Sequence, residues 1–140
     1  PYLCAVDLAC CSAARTRPMQ GGATMRTPPV RHDGGESWSE RTDDPNLPDP
    51  VCQASFIRHP DRGNPALDVL LFSNPANPFA RTNGVIRLSR DEGKTWPVAR
   101  FLYPGSFAYS SLTTLPDGSV GCLFERDNYA RLSIARFTLS

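Results

Sequence analysis

The sequence predicts an antiparallel all-β fold, because β-prone runs recur along it and no helical pattern does. From residue 51 onward, seven short runs rich in β-branched and aromatic residues are separated by turn residues, at spacings of roughly 10–17 residues. The 14 prolines and 10 glycines favour many turns over long elements. A chain of 140 residues is long enough for one domain with a modest core.

Each predicted strand is a β-rich run bounded by turn residues. The first four runs are VCQASFIRH, DVLLFSN, GVIRLSR and PVARFLY, and the last three are FAYSSLTTL, SVGCLFE and RLSIARFTL. In residue numbers, the predicted strands are 51–59, 68–74, 84–90, 97–103, 107–115, 119–125 and 131–139. Residues 1–30 show no period and are predicted to be irregular.

One predicted hairpin brings chemically active side chains together. The tripeptide Pro-Asp-Gly at 116–118 is a strong turn signal between the fifth and sixth runs. If the two strands pair closely around this turn, Tyr109 lies opposite Glu125 or Arg126. A phenol, a carboxylate and a guanidinium then meet at the open end of the hairpin. The hairpin alone is compatible with either a structural cluster or one wall of an active site.

Composition argues against several classes of partner. Fifteen Lys and Arg balance 14 Asp and Glu, so nothing indicates binding to nucleic acid.

No apolar run approaches the ~20 residues of a membrane span. The five cysteines show no Cys-x-x-Cys spacing, which argues against a zinc site, and Cys52 and Cys122 are predicted to be buried. The opening segment lacks the basic start of a signal peptide, and without an initial methionine the chain is expected to be cut from a longer one.

A turn motif occurs twice. SRDEGKTW at 89–96 and RHDGGESW at 31–38 share the pattern x-x-D-x-G-x-x-W and lie 58 residues apart. A turn that recurs at such a period predicts one structural unit per repeat, as in propeller blades. In the second copy, Asp91 is expected to hydrogen-bond the turn backbone, Gly93 to supply a positive φ and Trp96 to pack on neighbouring strands. We therefore predict a structural role for the motif and no catalytic one.

The pattern S-x-D-x-G-x-x-W is the Asp-box of bacterial-type exo-α-sialidases, and the chain resembles that family from about residue 27 to 140. The resemblance extends to LPDPVCQASFIRH, LLFSNPAN, RTNGVIRLSRDEGKTW, PGSFAYSSLTTLPDGSVGCLFE and ARFTL, in this order. It implies a six-bladed β-propeller of four-stranded blades, of which residues 1–140 would be the last two to three. Residues 1–30 match the family poorly. The first Asp-box copy departs from the pattern, with Arg31 in place of serine.

The resemblance also implies a chemistry for the tyrosine of the hairpin. Sialic acid carries a carboxylate on its anomeric carbon, so an approaching carboxylate nucleophile is repelled. Sialidases use a tyrosine instead, which is neutral until a glutamate takes its proton. The segment YSSL corresponds to that nucleophile, which is Tyr109 in this sequence. The implied reaction is the hydrolysis of terminal sialic acids with retention, through a tyrosyl–sialosyl intermediate.

Three further residues take roles from the same resemblance. The family binds the substrate carboxylate with three arginines, whose guanidinium forks match a carboxylate. The third of these corresponds to Arg81, and Arg17 is the candidate for the second. Glu125 corresponds to the glutamate that supports the first arginine from behind. That first arginine, the activating glutamate and an acid/base aspartate have no counterpart in this sequence.

Two other functions agree with the same residues. A binding propeller that holds sialylated glycans without cleaving them would also use Arg81 and Glu125, whereas Tyr109 with an activating glutamate serves only the enzyme. The other alternative is a structural or vestigial propeller fragment. The family requires no metal or cofactor. Expected partners are sialylated glycoproteins, gangliosides and oligosaccharides, with no nucleic acid and no membrane span. The full-length protein is expected to be secreted or exposed at the cell surface, and this fragment alone to be inactive.

Overall fold

A computed structural model of the chain describes residues 44–60 and 68–139, together with the backbone pairing of 17–18 and 24–26. Within these ranges every helix-or-strand element is a strand, so the all-β prediction is confirmed. The strands are β1 (Arg17–Pro18), β2 (Thr24–Arg26), β3 (Asp44–Pro48), β4 (Ser55–His59), β5 (Val69–Pro75), β6 (Thr82–Ser89), β7 (Val98–Thr114), β8 (Val120–Arg126) and β9 (Arg131–Phe137).

The strands form two antiparallel sheets. Strands β1, β2 and β3 make a small sheet in that order, and β4 to β9 make a six-stranded meander in chain order. Every residue of β5 is buried, so this strand lies in the interior of the meander. The prediction that residues 1–30 are irregular is wrong at β1 and β2. Strands of two and three residues are too short to show a period in the sequence.

Strand β7 differs most from the prediction. The predicted strands 97–103 and 107–115 are a single strand of 17 residues, with Pro104 and Gly105 in its middle. Its first part pairs with β6 and its second part with β8. Pro104 lies at a register shift in the ladder with β6, where the regular hydrogen bonding is already interrupted, so the missing N–H is tolerated. Strand β7 is thus shared by two structural units.

These two units have the form of consecutive repeats. Strands β4, β5, β6 and the first part of β7 make a four-stranded antiparallel unit, and the second part of β7 continues with β8 and β9. The turn at 89–96 joins β6 to β7 at the end of the first unit. The first copy of the turn motif, at 31–38, lies outside the described residues.

The core consists of two apolar clusters. The larger cluster includes Phe107 and Phe124, whose rings stack at a centroid distance of 5.1 Å. A Cβ at Gly84 would lie 2.1 Å from the ring of Phe107, so only glycine fits there. Cys122 belongs to this cluster, and burial raises the pKa of its thiol to about 11. The smaller cluster gathers around Trp96.

The turn at 89–96 closes on itself through short hydrogen bonds. The carboxylate of Asp91 accepts hydrogen bonds from the hydroxyl and the N–H of Thr95, at 2.6 and 2.9 Å, and from the hydroxyl of Ser89, at 2.7 Å. These bonds, led by that of the Thr95 hydroxyl, lower the pKa of Asp91 to about 2. Gly93 has a φ of 79°, and Trp96 is buried. The hydrogen bonds of Asp91 thus stay within the turn, whereas Trp96 packs on the neighbouring strands.

Candidate active site

The chemically active side chains meet where β7 passes from one unit to the other. Tyr109 lies in β7 with 48% of its surface exposed, so a ligand can reach it. Among the described residues, its hydroxyl has no hydrogen-bond partner. The guanidinium carbon of Arg81 lies 5.5 Å from the centroid of the Tyr109 ring. A phenol and a cation are therefore in contact on an accessible surface.

Arg81 is oriented by neutral groups. Its Nη1 donates to the hydroxyl of Tyr129 at 2.8 Å, and its Nη2 donates to the carbonyl of Val51 at 3.2 Å. No carboxylate in residues 44–60 or 68–139 forms an ion pair with it. Partial burial lowers the pKa of Arg81, but the hydrogen bond to Tyr129 and the electrostatic interactions with Cys52, Tyr129 and Tyr109 together outweigh this effect, and the pKa is raised above its ordinary value. The guanidinium is thus charged, and no acidic side chain of the described residues neutralises it.

The loop before β6 determines where Arg81 lies. Asn77 folds the loop by accepting the N–H of Phe79 at 2.9 Å and by donating to the hydroxyl of Thr82 at 3.0 Å. The carbonyl of Arg81 then accepts the N–H of Phe107 at 2.8 Å. Because Phe107 precedes Tyr109 by two residues, the backbone itself holds the cation and the phenol together.

Glu125 contacts Tyr109 through the backbone. The predicted pairing is confirmed: between the pairs Phe107–Arg126 and Ser110–Phe124, the two residues 108–109 lie opposite the single residue Glu125. This is a β-bulge, which leaves the N–H of Tyr109 without a ladder partner. The Oε2 of Glu125 accepts that N–H at 3.2 Å. No arginine of the described ranges forms an ion pair with Glu125, so its predicted support of an arginine stays a prediction.

Gln53 is a site residue that sequence reasoning missed. Its Oε1 accepts the N–H of Ser110 at 3.0 Å, and its Nε2 donates to the carbonyl of Ser110 at 3.0 Å. The side-chain amide therefore replaces a neighbouring strand along the free edge of β7. Ser55 continues the arrangement, because its hydroxyl accepts the N–H of Leu112 at 2.9 Å. The backbone around Tyr109 is thus held on one edge of β7 by Gln53, through Ser110, and on the other edge by Glu125.

The turn between β8 and β9 carries the other missed residue. Asp127, Asn128 and Tyr129 have φ values of 55°, 54° and 69°, all in the left-handed region. Such a conformation costs roughly 1–3 kcal/mol for a residue other than glycine, and it is least unusual for Asp and Asn. The Asp-Asn pair indicates a turn in the sequence, but nothing in the local pattern places Tyr129 beside Arg81.

Two other arginines contrast with Arg81. Arg17 lies in β1, and its side chain is outside the described part of the chain, so its predicted binding role stays a prediction. Arg87 is buried between strands and donates to the Oδ1 of Asn74 at 2.9 Å. Burial lowers the pKa of Arg87. Of Arg81 and Arg87, it is Arg81 that the structure brings to Tyr109.

Fold and site together define a class of protein: an antiparallel all-β repeat protein with an Asp-box turn and an exposed tyrosine–arginine pair. No protein-family model matches the chain. The chain is 47% identical to a sialidase of Micromonospora viridifaciens over 112 residues, which are 76% of the chain and 17% of that protein. It is 33% identical to a sialidase of Bacteroides fragilis (strain YCH46) over 114 residues, 78% of the chain and 21% of that protein.

Solved structures agree with these sequence matches. The Hadza microbial sialidase Hz136 superposes with a TM-score of 0.68 at 32% identity, over 84% of this chain and 25% of that one. The intramolecular trans-sialidase from Ruminococcus gnavus, in complex with oseltamivir carboxylate, shares the fold with a TM-score of 0.63 at 24% identity, over 89% of this chain and 32% of that one.

The chain therefore belongs to the sialidase family, and its fold is part of a sialidase β-propeller. It spans 17% to 26% of the length of the curated relatives it matches. Within the described residues, no helix is long and apolar enough to cross a membrane. No cluster of metal-binding side chains occurs in that same part of the chain.

Proposed function

We propose that the chain forms one wall of the active site of an exo-α-sialidase, which hydrolyses terminal sialic acids from glycoconjugates with retention. The observation that carries this proposal is the exposed phenol of Tyr109 beside the unneutralised guanidinium of Arg81. The sialidase relatives support it. In the whole enzyme, residues 1–140 would form the last two to three blades of a six-bladed propeller.

Tyr109 would act as the nucleophile. Its hydroxyl oxygen forms a bond to the anomeric carbon while the glycosidic C–O bond breaks, and a glutamate takes the phenol proton. An aspartic acid protonates the departing oxygen, and the same group then removes a proton from the water that cleaves the tyrosyl–sialosyl bond. Both carboxyl groups would come from outside the described residues. A neutral phenol suits this carbon because it meets no charge repulsion from the substrate carboxylate.

Arg81 would bind the substrate carboxylate. A guanidinium can donate two parallel hydrogen bonds to a carboxylate, and Arg81 has N–H groups left after its bonds to Tyr129 and Val51. Arg17 is proposed as a second carboxylate ligand. Glu125 would hold the backbone at the nucleophile and direct its other oxygen to an arginine from another part of the enzyme. The substrates would be sialylated glycoproteins, gangliosides or oligosaccharides.

Replacement of the tyrosine by phenylalanine tests this function directly. Tyr109→Phe keeps the ring and its contact with Arg81 but removes the oxygen that forms the covalent intermediate. In the protein expressed with its natural flanking sequence, turnover of an activated sialoside should fall at least about a hundredfold, with folding and substrate affinity retained. The matched control is Ser111→Ala, an exposed position on the same strand, which should leave turnover unchanged.

The stereochemistry of the product gives a second readout. Tyr109→Gly leaves space for a water molecule in place of the phenol, so any surviving hydrolysis should proceed with inversion, as followed by NMR of the released sugar. Near-normal turnover in the phenylalanine variant would mean that Tyr109 is a packed aromatic residue. The proposal would then be wrong, and a binding propeller or a structural fragment would be the remaining function.

A further inference from the structure

Tyr129 lies in the β8–β9 turn and meets Arg81 across 48 residues of sequence. Its hydroxyl oxygen accepts a hydrogen bond from Nη1 of Arg81 at 2.8 Å. Its φ of 69° is in the left-handed region, which bulky side chains rarely adopt. Strained backbone conformations cluster at ligand-binding sites, so the conformation of Tyr129 beside Arg81 points to a functional role.

The β8–β9 turn is anchored to the strand that carries the nucleophile. The carboxylate of Asp127 accepts hydrogen bonds from the hydroxyl of Tyr103 at 2.6 Å and from Nη1 of Arg126 at 2.9 Å. The N–H of Asn128 donates to the hydroxyl of Ser106 at 3.0 Å. Tyr103 and Ser106 both belong to β7. The left-handed turn is thus imposed by bonds from outside it, and it presents Tyr129 in a constant position relative to β7.

A second strained residue converges on the same guanidinium. Val51, a β-branched residue with a φ of 58°, offers its carbonyl to Nη2 of Arg81 at 3.2 Å. The N–H of Cys52 donates to Oδ1 of Asp49 at 3.2 Å and so fixes the adjacent backbone. Both acceptors of Arg81 therefore come from residues in a left-handed conformation, on two different loops.

The chemistry of these acceptors is informative. A carboxylate would hold an arginine more strongly, but it would also neutralise the guanidinium and compete with a ligand carboxylate. A phenol and a carbonyl are neutral acceptors that fix the direction of the guanidinium and leave its charge available. The ring of Tyr109 contacts the same group 5.5 Å away and is neutral as well. Arg81 is therefore oriented before any ligand binds.

We propose that Tyr129 is a positioning residue that presents Arg81 to the carboxylate of the substrate through a neutral hydrogen bond. This inference rests on the proposed function, because it needs a carboxylate ligand at Arg81. It assigns the β8–β9 turn a task in substrate recognition. Tyr129 acts through Arg81, so its effect should appear in binding and not in the chemical step.

Tyr129→Phe tests the proposal, because it removes one oxygen and keeps the ring. In the protein with its natural flanking sequence, the inhibition constant of a carboxylate-bearing sialic acid analogue should rise about tenfold, as should KM. The kcat value should stay within about twofold. An analogue with a hydroxymethyl group in place of the carboxylate should bind both proteins equally. The matched control is Asn128→Gly, which changes the same turn without touching Arg81 and should leave all constants unchanged.

A second measurement does not depend on activity. The hydrogen bond to Tyr129 slows rotation about the Cζ–Nη1 bond of Arg81, which 13C-detected NMR of the guanidinium reports. Rotation should be faster in Tyr129→Phe than in the wild type and unaffected in Asn128→Gly. Unchanged rotation, or equal losses for the acidic and the neutral analogue, would overturn the proposal. Wild-type protein that does not bind the acidic analogue would instead remove the proposed function, and this inference with it.

Discussion

The Asp-box turn and the tyrosine–arginine pair both use a charged side chain, but they surround it differently. Asp91 bonds only to residues within four positions of itself, and its carboxylate accepts three hydrogen bonds. Arg81 bonds to partners 30 and 48 residues away, and these partners are neutral. The first charge is fully satisfied by its own segment. The second is directed by distant segments and remains able to bind an anion.

This difference assigns the two charged side chains different tasks: Asp91 stabilises the fold, and Arg81 serves the proposed function. A local, satisfied turn stabilises the fold wherever it occurs. A charge held by distant neutral groups contributes little to the fold, because it lacks a counter-ion. Under the proposed function, this charge gains its full interaction only with a ligand. The comparison predicts that substitutions at the two places affect different measurements.

The largest effect is expected at Arg81. Arg81→Ala should weaken binding of carboxylate-bearing inhibitors by about 3 kcal/mol, since one partner of a bidentate pair is removed. Arg81→Lys should restore little, because an ammonium lacks the fork. The free energy of unfolding should change by less than about 0.5 kcal/mol. Inhibition constants and denaturant titrations of the same variants measure both quantities, and an unchanged inhibition constant would remove Arg81 from the site.

An intermediate effect is expected at Gln53, whose hydrogen bonds should both stabilise the fold and hold Tyr109 in place. Gln53→Met keeps the length of the side chain but leaves the N–H and the carbonyl of Ser110 without this partner. Stability should fall by about 1–3 kcal/mol, and kcat by roughly tenfold, because Tyr109 is held less firmly. Steady-state kinetics and urea unfolding provide the check. A loss of stability with full kcat would show that the two hydrogen bonds between Gln53 and Ser110 serve the fold alone.

The smallest effect is expected at Asp91, and it depends on pH. The hydrogen bonds from Thr95 and Ser89 lower the pKa of Asp91 from 3.8 to about 2, so the native state favours its charged form. This stabilisation is fully present above about pH 4 and is lost as the pH falls through 2. Asp91→Asn should therefore unfold more readily than the wild type at pH 6, by a margin that shrinks towards pH 2. Turnover at neutral pH should not change, and a margin independent of pH would contradict this account.

Much of the fold was predictable because its signals are local. The hairpin at 116–118 was predicted from its own turn residues, and its register placed Tyr109 opposite Glu125 or Arg126, of which Glu125 is observed. Strand β7 was predicted as two strands, because proline and glycine are turn residues in most contexts. Whether Pro104 ends a strand depends on its partner strand, and at this position the ladder with β6 is irregular. A pairing defect of that kind leaves no mark in the sequence.

The residues of the candidate site also divide into those that the sequence predicted and those that it did not. Tyr109, Arg81 and Glu125 were named from the resemblance, and the structure brings these three together. Gln53 and Tyr129 were missed because their bonds span 57 and 48 residues, so no periodic or local pattern connects them to the site. Gln53 has a long polar side chain and Tyr129 an aromatic one, and neither lies in a recognisable sequence motif. Only the three-dimensional arrangement distinguishes them.

The β-bulge in β7 makes the site sensitive to the length of the chain and not only to its composition. Before the bulge the odd-numbered Phe107 faces the core, and after it the even-numbered Ser110 and Leu112 do. The extra residue thus inverts the alternation, and this inversion turns Tyr109 outward. In evolution, many substitutions around Ala108 can be accepted as long as they pack. A single deletion there would remove the bulge that frees the N–H of Tyr109 for the carboxylate of Glu125, so insertions and deletions are the changes that natural selection must exclude.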